Sequence, residues 1–591
     1  MTGYLMSFIA AITWLGRSFY RFLFSTLKFF QEHKVLSLML FLSFMMKYFL
    51  AGWNSYWLDE LYSVYERGIL FNSAAEVLHY HQQRTSGMPL YEFILFNWMQ
   101  LFGHTEVATR TLSIIYVTLA TLFLYLFTLK IFGRRVAIFT TLLFTFSYIA
   151  VYYSLESRYY GQTLFLCTLS SYLLLLYLKS LKNNYSLKKL LLNKYFILLA
   201  FSNVALMLTF PFNYFFLAAQ GLFVLFYFLY QNRQAKIIDN CIKVFYIYMS
   251  QLTIMGLLWN LSIFTRVILI FVNAANRLFA GNDFVNNSSF SNNVAATNGG
   301  QHFIPFKNPI TIFIDYVVEP NFNLPSLFYS FLALMLVYAL FKYGISFYRR
   351  DSNSNFSPRK IYIFYLFLWT FLPCLLVYFL FSVGQLDKLH MRYLVFCTPP
   401  LIVLLAITLE QGVCLFDRFI KSLQCFSLRR HYIRYSLLYA IIVTTLFTLP
   451  GGYAAATYEK ENWRGIANQI VQQIHRDTEH EYIVIETAWR KPHVLDYYFK
   501  RFSDQVRVYN IIRRTEEGWL ESGEGYEPPF MSTDSLRDIE AHDYLILTFT
   551  HHTINHFPQT EKYLSERYIL HFSQLDEDGR GYLVFSTQSY R

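Results

Sequence analysis

The sequence predicts an α-helical polytopic membrane protein of about 11 transmembrane helices with a C-terminal soluble α/β domain. Composition, the recurrence of long apolar runs and the placement of Lys and Arg beside them carry that reading. Of 591 residues, 55% are hydrophobic, 20% aromatic and only 15% charged, whereas about a quarter of the residues of a soluble globular domain are charged. The mean hydropathy of +0.30 names lipid as the solvent for most of the chain and excludes collagen, disorder, coiled coil and a small disulfide scaffold.

Residues 1–34 form an aromatic, basic N-terminal segment, Arg17 to Lys34, expected to lie in the membrane interface and not to be cleaved. The transmembrane domain, 35–450, contains apolar runs centred near residues 43, 118, 144, 169, 202, 221, 255, 335, 371, 402 and 442. Each approaches the roughly 20 residues that cross a hydrocarbon core as helix. The 195–230 stretch divides only at Pro211-Phe212-Asn213, and 244–273 is too long for one simple span. Two large outer loops, 52–106 and 274–325, interrupt the series.

With the N-terminus cytoplasmic, the inner segments carry 25 Lys/Arg against Glu32, Asp239, Asp351 and Asp417, the asymmetry of the positive-inside rule. An odd number of crossings places the C-terminus outside. Residues 451–591 hold 15 Lys/Arg against 22 Asp/Glu, leaving 35 against 16 in the first 450. The net charge of +12 is therefore topological, and no nucleic-acid partner is expected. The six cysteines all fall in spans or inner segments, with no metal-binding spacing.

In the outer domain, 451–591, Asn462–Arg476 reads as an amphipathic helix. Tyr482–Glu486, Val506–Ile511, Tyr544–Phe549 and Tyr582–Phe585 read as strands, and His493–Phe502 as a second helix. This alternation predicts a partly parallel sheet. No glycine-rich phosphate loop or nucleophile elbow occurs in it. Trp463, Trp489 and Tyr497 either line a groove or, as aromatics usually do, pack inward.

The chemistry-bearing residues gather on one side of the membrane. Trp57-Leu58-Asp59-Glu60-Leu61-Tyr62 follows the first span, Arg84 and Met88-Pro89-Leu90-Tyr91 come later in that loop, and Arg110 heads the second span. The next outer turn holds Glu156-Ser157-Arg158-Tyr159. Structural readings stand beside each: an aromatic belt with an acidic helix start for Asp59-Glu60, a snorkelling ion pair for Glu156 and Arg158. Lys388-Leu389-His390-Met391-Arg392 clusters basic groups on the outer face, where the positive-inside rule does not put them, and Pro399-Pro400 follow.

Together these motifs resemble the C-type glycosyltransferases, polytopic enzymes that take sugars from polyprenyl-phosphate donors, in the family-39-like branch of protein O-mannosyltransferases and aminoarabinose transferases. The matching residues are Asp59-Glu60, Pro89-Leu90-Tyr91, Arg110, Glu156/Arg158/Tyr159, Arg392-Tyr393-Leu394 with Pro399-Pro400, and Asn462-Trp463-Arg464. The chain departs at Ser86-Gly87-Met88-Pro89-Leu90, where lipid A aminoarabinose transferases carry Glu-Lys-Pro-Pro-Leu. The lysine expected to meet the donor phosphate is missing.

The resemblance implies sugar transfer from a polyprenyl-phosphate donor to a glycan, lipid or protein acceptor, by a multi-pass protein of a bacterial inner membrane with its C-terminal domain periplasmic. Such transfer needs a base for the acceptor proton and cations for the departing phosphate. Asp59 is the expected base, its pKa raised by desolvation. Glu60 is expected to orient an acceptor or ligate a metal, and Glu156 to serve as a second acid. Arg158, Lys388, Arg392, His390 and Arg84 are the expected phosphate ligands, with Tyr62, Tyr91 and Tyr159 lining the substrate. No cofactor is indicated. A divalent metal stays open, since these carboxylates fall short of the six oxygens such ions prefer. The competing class is a multi-pass transporter or flippase of lipid-linked saccharides, which would show broken helices in two corresponding halves.

Overall fold

In the computed structural model the described residues are 30–83, 88–181, 187–231, 237–259, 358–382, 391–422, 453, 455, 462–476, 482–486, 497–499, 508–510, 543–549, 568–575 and 581–586. Helices dominate. In chain order they are α1 (Lys34–Leu50), α2 (Leu58–Leu61), α3 (Ala74–Gln83), α4 (Leu90–Phe102), α5 (Glu106–Phe132), α6 (Arg134–Phe146), α7 (Tyr148–Ser154) and α8 (Tyr160–Ser180). After them come α9 (Leu187–Leu191), α10 (Lys194–Met207), α11 (Asn213–Gln231), α12 (Ile237–Leu258), α13 (Pro358–Ser382), α14 (Thr398–Ser422) and α15 (Trp463–Arg476). A π-helical run, Tyr62–Ile69, continues α2, and a 3₁₀ run, Met391–Cys397, precedes α14.

Among the described residues Glu106–Phe132, Tyr160–Ser180, Arg359–Val377 and Arg392–Leu415 are long and apolar enough to cross a membrane. The pair α6 and α7 passes the same test as one span bent by 53°. The helices cover the expected centres near 43, 118, 144, 169, 202, 221, 255, 371 and 402. Those near 335 and 442, the outer loop 274–325 and residues 1–29 lie outside the described residues.

Local chemistry fixes several helix ends. Thr105 caps α5 by accepting the Ala108 amide at 3.3 Å, which satisfies one of the orphan donors of a first turn. Gly103 (φ 81°) ends α4 and Gly133 (φ 94°) ends α5, both in the left-handed region where glycine carries no steric penalty. Ser147 breaks α6 from α7, accepting the Ala150 amide while its own hydroxyl donates to the Phe144 carbonyl. At Gly161 a side chain would meet the Ser113 backbone at 3.1 Å, so a glycine there lets α8 start against α5.

The membrane helices share one apolar core, running from Val117 on α5 through Phe139, Leu164, Phe216, Trp369 and Ile402. Inside it lies a buried amide and hydroxyl network. Asn203 on α10 donates to Gln220 Oε1 (2.8 Å) and Gln251 Oε1 (2.9 Å), and Gln220 donates to Ser170 Oγ (2.8 Å). Ser171 pairs with the Tyr365 hydroxyl at 2.9 Å, so the cluster ties α8, α10, α11, α12 and α13. Polar groups in hydrocarbon are stable only when satisfied by one another. Asn203→Leu should therefore cost about 1–2 kcal/mol, read as a lower thermal midpoint in detergent; an unchanged midpoint would contradict the network's role.

The described strands, β1 (Tyr482–Glu486), β2 (Val508–Asn510), β3 (Tyr544–Phe549), β4 (Ile569–Leu575) and β5 (Gly581–Ser586), form one sheet in the order β2-β1-β3-β5-β4. β1 is parallel to β2 and β3, with Val484 opposite Val508 and Ile546, while β5 is antiparallel to β3 and β4. Sequence reading passed over β4. It is an edge strand with exposed Ile569 and Leu570 and a register shift between Leu570 and Phe572, so it lacks clean alternation. Trp463 and Tyr497 are core residues: with Ile470, Tyr498 and Ile546 they pack against Tyr56, Leu61, Val64, Tyr91 and Leu95 of the segment between α1 and α5. Trp489 lies outside the described residues.

Candidate active site

Two adjacent carboxylates on the single turn of α2 point in different directions and meet different partners. Glu60 is 1% exposed and takes Arg110 bidentately, Nε to Oε1 at 2.9 Å and Nη2 to Oε2 at 2.7 Å. The remaining Arg110 donors reach the carbonyls of Ala51, Asn54 and Ser55, each at 2.8 Å. All five guanidinium N–H groups are thus matched. Glu60 also accepts the Ser157 amide (2.7 Å) and the Trp57 amide (3.3 Å). A cavity of about 30 Å³ beside the pair, lined by Leu50, Tyr152 and Leu155 among others, holds no more than a water or two. Glu60 is therefore the hub that joins the 51–61 segment, α5 and the 155–159 turn, where the sequence suggested an acceptor-facing or metal-binding group.

Asp59 faces the other way, its side chain 23% exposed, and pairs with Arg392 Nη1 at 2.7 Å across 333 residues of sequence. The contact sets a guanidinium directly against the carboxylate expected from sequence to act as base. Arg392 is the second residue of the 3₁₀ run, which leads directly into α14.

Arg158, almost buried, donates from Nη1 to Ser63 Oγ at 2.8 Å and lies 4.9 Å from the Tyr159 ring centre. Burial works against its charge, but Tyr159 and Asp59 outweigh that effect and hold the guanidinium above its ordinary value. An unbroken series of aromatic contacts runs from this arginine to the other: Tyr159 on Phe210 (4.8 Å), Phe210 on Phe212 (5.3 Å), Phe212 stacked on Tyr393 (4.5 Å), and Tyr393 beneath Arg392 (5.9 Å). Phe210 and Phe212 come from the turn between α10 and α11, which sequence reading treated only as a span divider.

A second polar cluster lies behind Ser63. Its hydroxyl donates to Glu92 Oε1 (3.4 Å), which also takes Arg67 Nη1 (3.2 Å), and His81 Nε2 is 4.0 Å from Oε2. Glu92 and Arg67 were missed in sequence. The signal was a lone carboxylate in the apolar run Leu90-Tyr91-Glu92-Phe93-Ile94-Leu95-Phe96, which is costly unless paired.

Of the expected residues, the structure brings Asp59, Glu60, Glu156, Arg158, Arg392 and Tyr159 to one end of the bundle. The Glu156 side chain is buried, and its backbone carbonyl accepts the Ser113 hydroxyl at 2.6 Å. Tyr62 lies 6.0 Å from the Arg67 guanidinium. Tyr91 is fully buried, its ring 6.5 Å from that of Tyr159, so it supports the site instead of lining open space. Arg84, Lys388 and His390 lie outside the described residues. Among the described residues no three His, Cys, Asp or Glu side chains converge as metal ligands.

The chain is similar to solved structures of ArnT and of an archaeal oligosaccharyltransferase. With ArnT from Cupriavidus metallidurans in the apo state it shares 13% identity at a TM-score of 0.48, covering 94% of this chain and 98% of that one. The same protein bound to undecaprenyl phosphate gives 12% identity, a TM-score of 0.47 and the same coverage. The Archaeoglobus fulgidus oligosaccharyltransferase tethered to an acceptor peptide gives 10% identity and a TM-score of 0.48, over 94% of this chain and 74% of that chain. No family model and no curated protein matches the sequence.

Proposed function

We propose that the chain is a membrane glycosyltransferase. It moves a hexosyl or pentosyl group from a polyprenyl-phosphate donor to a glycan, lipid or protein acceptor on the extracytoplasmic face of a bacterial inner membrane. The observation that carries this reading is the 2.7 Å Asp59–Arg392 pair, set on an aromatic strip that leads to a second guanidinium, Arg158. A partly exposed carboxylate beside two cations at the mouth of apolar helices supplies a base and an anion site that a lipid-borne phosphate can reach.

In the proposed reaction Asp59 accepts the acceptor hydroxyl's proton as that oxygen bonds to the anomeric carbon. The bond from that carbon to the phosphate oxygen breaks, its electron pair leaves with the polyprenyl phosphate, and the anomeric centre inverts. Arg392 and Arg158 stabilise the charge developing on the leaving phosphate. A donor phosphate at Arg392 would replace Asp59 as that arginine's anion, releasing the carboxylate to act as base. Glu60, held by Arg110, is a positioning residue. Bridging metal is not needed for this division of labour, since both arginines already supply fixed positive charge.

Arg392→Ala should weaken binding of free polyprenyl phosphate and lower kcat/KM for the donor by about 10²–10³-fold, with Arg392→Lys in between. Titration of both variants with polyprenyl phosphate checks this, and wild-type affinity in Arg392→Ala would remove the phosphate role.

A further inference from the structure

The loop that leads from the first span to Asp59 exposes five consecutive carbonyls, Ala51 to Ser55, and two guanidinium groups take all of them. Arg110 holds Ala51, Asn54 and Ser55. The other two, Gly52 (3.1 Å) and Trp53 (2.7 Å), are taken by Arg464 from the first turn of α15. Irregular backbone at a membrane boundary is tolerated only where its polar groups are satisfied, so the loop depends on both clamps. They differ in setting: Arg110 is buried, whereas the Arg464 side chain is 33% exposed.

The rest of the contact points the same way. Asn462 Oδ1 accepts the Gly465 amide at 3.0 Å and caps α15, and Trp463 enters the core shared with the loop. The Tyr498 hydroxyl accepts the Tyr56 amide (2.7 Å) and donates to Glu106 Oε1 (3.2 Å), which Arg464 Nη1 also approaches (3.5 Å). Burial and the Glu106 carboxylate push that tyrosine well above its ordinary pKa, so it stays a donor. Tyr497 donates to the His104 carbonyl at 3.0 Å.

We propose that Arg464 is a positioning residue for the reaction: by clamping Gly52 and Trp53 it makes α15 part of the framework that holds Asp59 on Arg392. This inference rests on the transferase reading for its kinetic arm only. In Arg464→Ala, turnover should fall about 10- to 100-fold with the donor KM nearly unchanged, and added ethylguanidinium should restore part of it at this partly exposed site. Arg464→Lys, which keeps a charge near Glu106 but lacks the fork that spans two carbonyls, should show a smaller loss. Hydrogen exchange of the full-length protein in detergent should become faster at the amides of residues 51–61, Tyr56 above all, with the membrane helices unchanged.

Wild-type turnover and wild-type exchange in Arg464→Ala would overturn the proposal, as would a loss that guanidinium does not relieve and that leaves 51–61 protected. If Arg464→Ala does not fold, the same two readouts on Arg464→Lys decide. The exchange arm needs no substrate, so a wild-type protein inactive toward every donor would sink the transferase reading while this test still stands.

Discussion

Asp59→Asn is expected to lower sugar transfer by about 10²–10⁴-fold, the contribution of a positioned general base, in a protein that inserts and folds normally. Asparagine keeps the shape of the side chain and a carbonyl oxygen within reach of Arg392, so the 2.7 Å contact between α2 and the 3₁₀ run loses charge but not geometry. What it cannot do is take a proton. The pair is partly exposed, so its loss has little effect on stability; activity should change far more than the thermal midpoint. Initial transfer rates and midpoints of the same preparations check both halves, and full activity in Asp59→Asn would remove the proposed base.

Arg110→Leu is expected to act through stability. It would strand the buried Glu60 carboxylate with only the Trp57 and Ser157 backbone amides to neutralise it, and release the carbonyls of Ala51, Asn54 and Ser55. Breaking a buried ion pair from one side costs about 3–5 kcal/mol, so the folded protein should fall sharply in the membrane. The double change Glu60→Leu/Arg110→Leu should recover only part of the loss. It removes the stranded charge but leaves the carbonyls and the Ser157 amide without their partners. Abundance of detergent-soluble, monodisperse protein distinguishes the three variants, and equal recovery of all of them would contradict the hub described for Glu60.

What the sequence made legible was local. Apolar runs, lysine placement and short motifs marked the spans and named Asp59, Arg158 and Arg392, because each carries its signal within a few residues. The partners of Asp59 and Glu60, Arg392 for one and Arg110 for the other, were not legible, since adjacent carboxylates differ only in which way one helical turn aims them. Glu92 with Arg67, and Phe210 with Phe212, gain their meaning from contacts made across long stretches of sequence. Arg464 illustrates the same limit: Asn462-Trp463-Arg464 was visible as a motif, but its partners at Gly52 and Trp53 lie about four hundred positions away. β4 was hidden for another reason: its exposed apolar pair Ile569-Leu570 and the register shift between Leu570 and Phe572 break the alternation that marks a strand.

The most direct test of the central reading is the fate of a doubly labelled donor, with one label on the sugar and another on the polyprenyl phosphate, presented to sealed vesicles containing the purified full-length protein and a membrane extract as acceptor. The account predicts that the sugar label leaves the lipid and appears in the acceptor fraction while the phosphate label stays with the polyprenol. If both labels cross the bilayer together and the donor is recovered intact, the protein moves lipid-linked sugars without cleaving them, and the transferase reading is wrong.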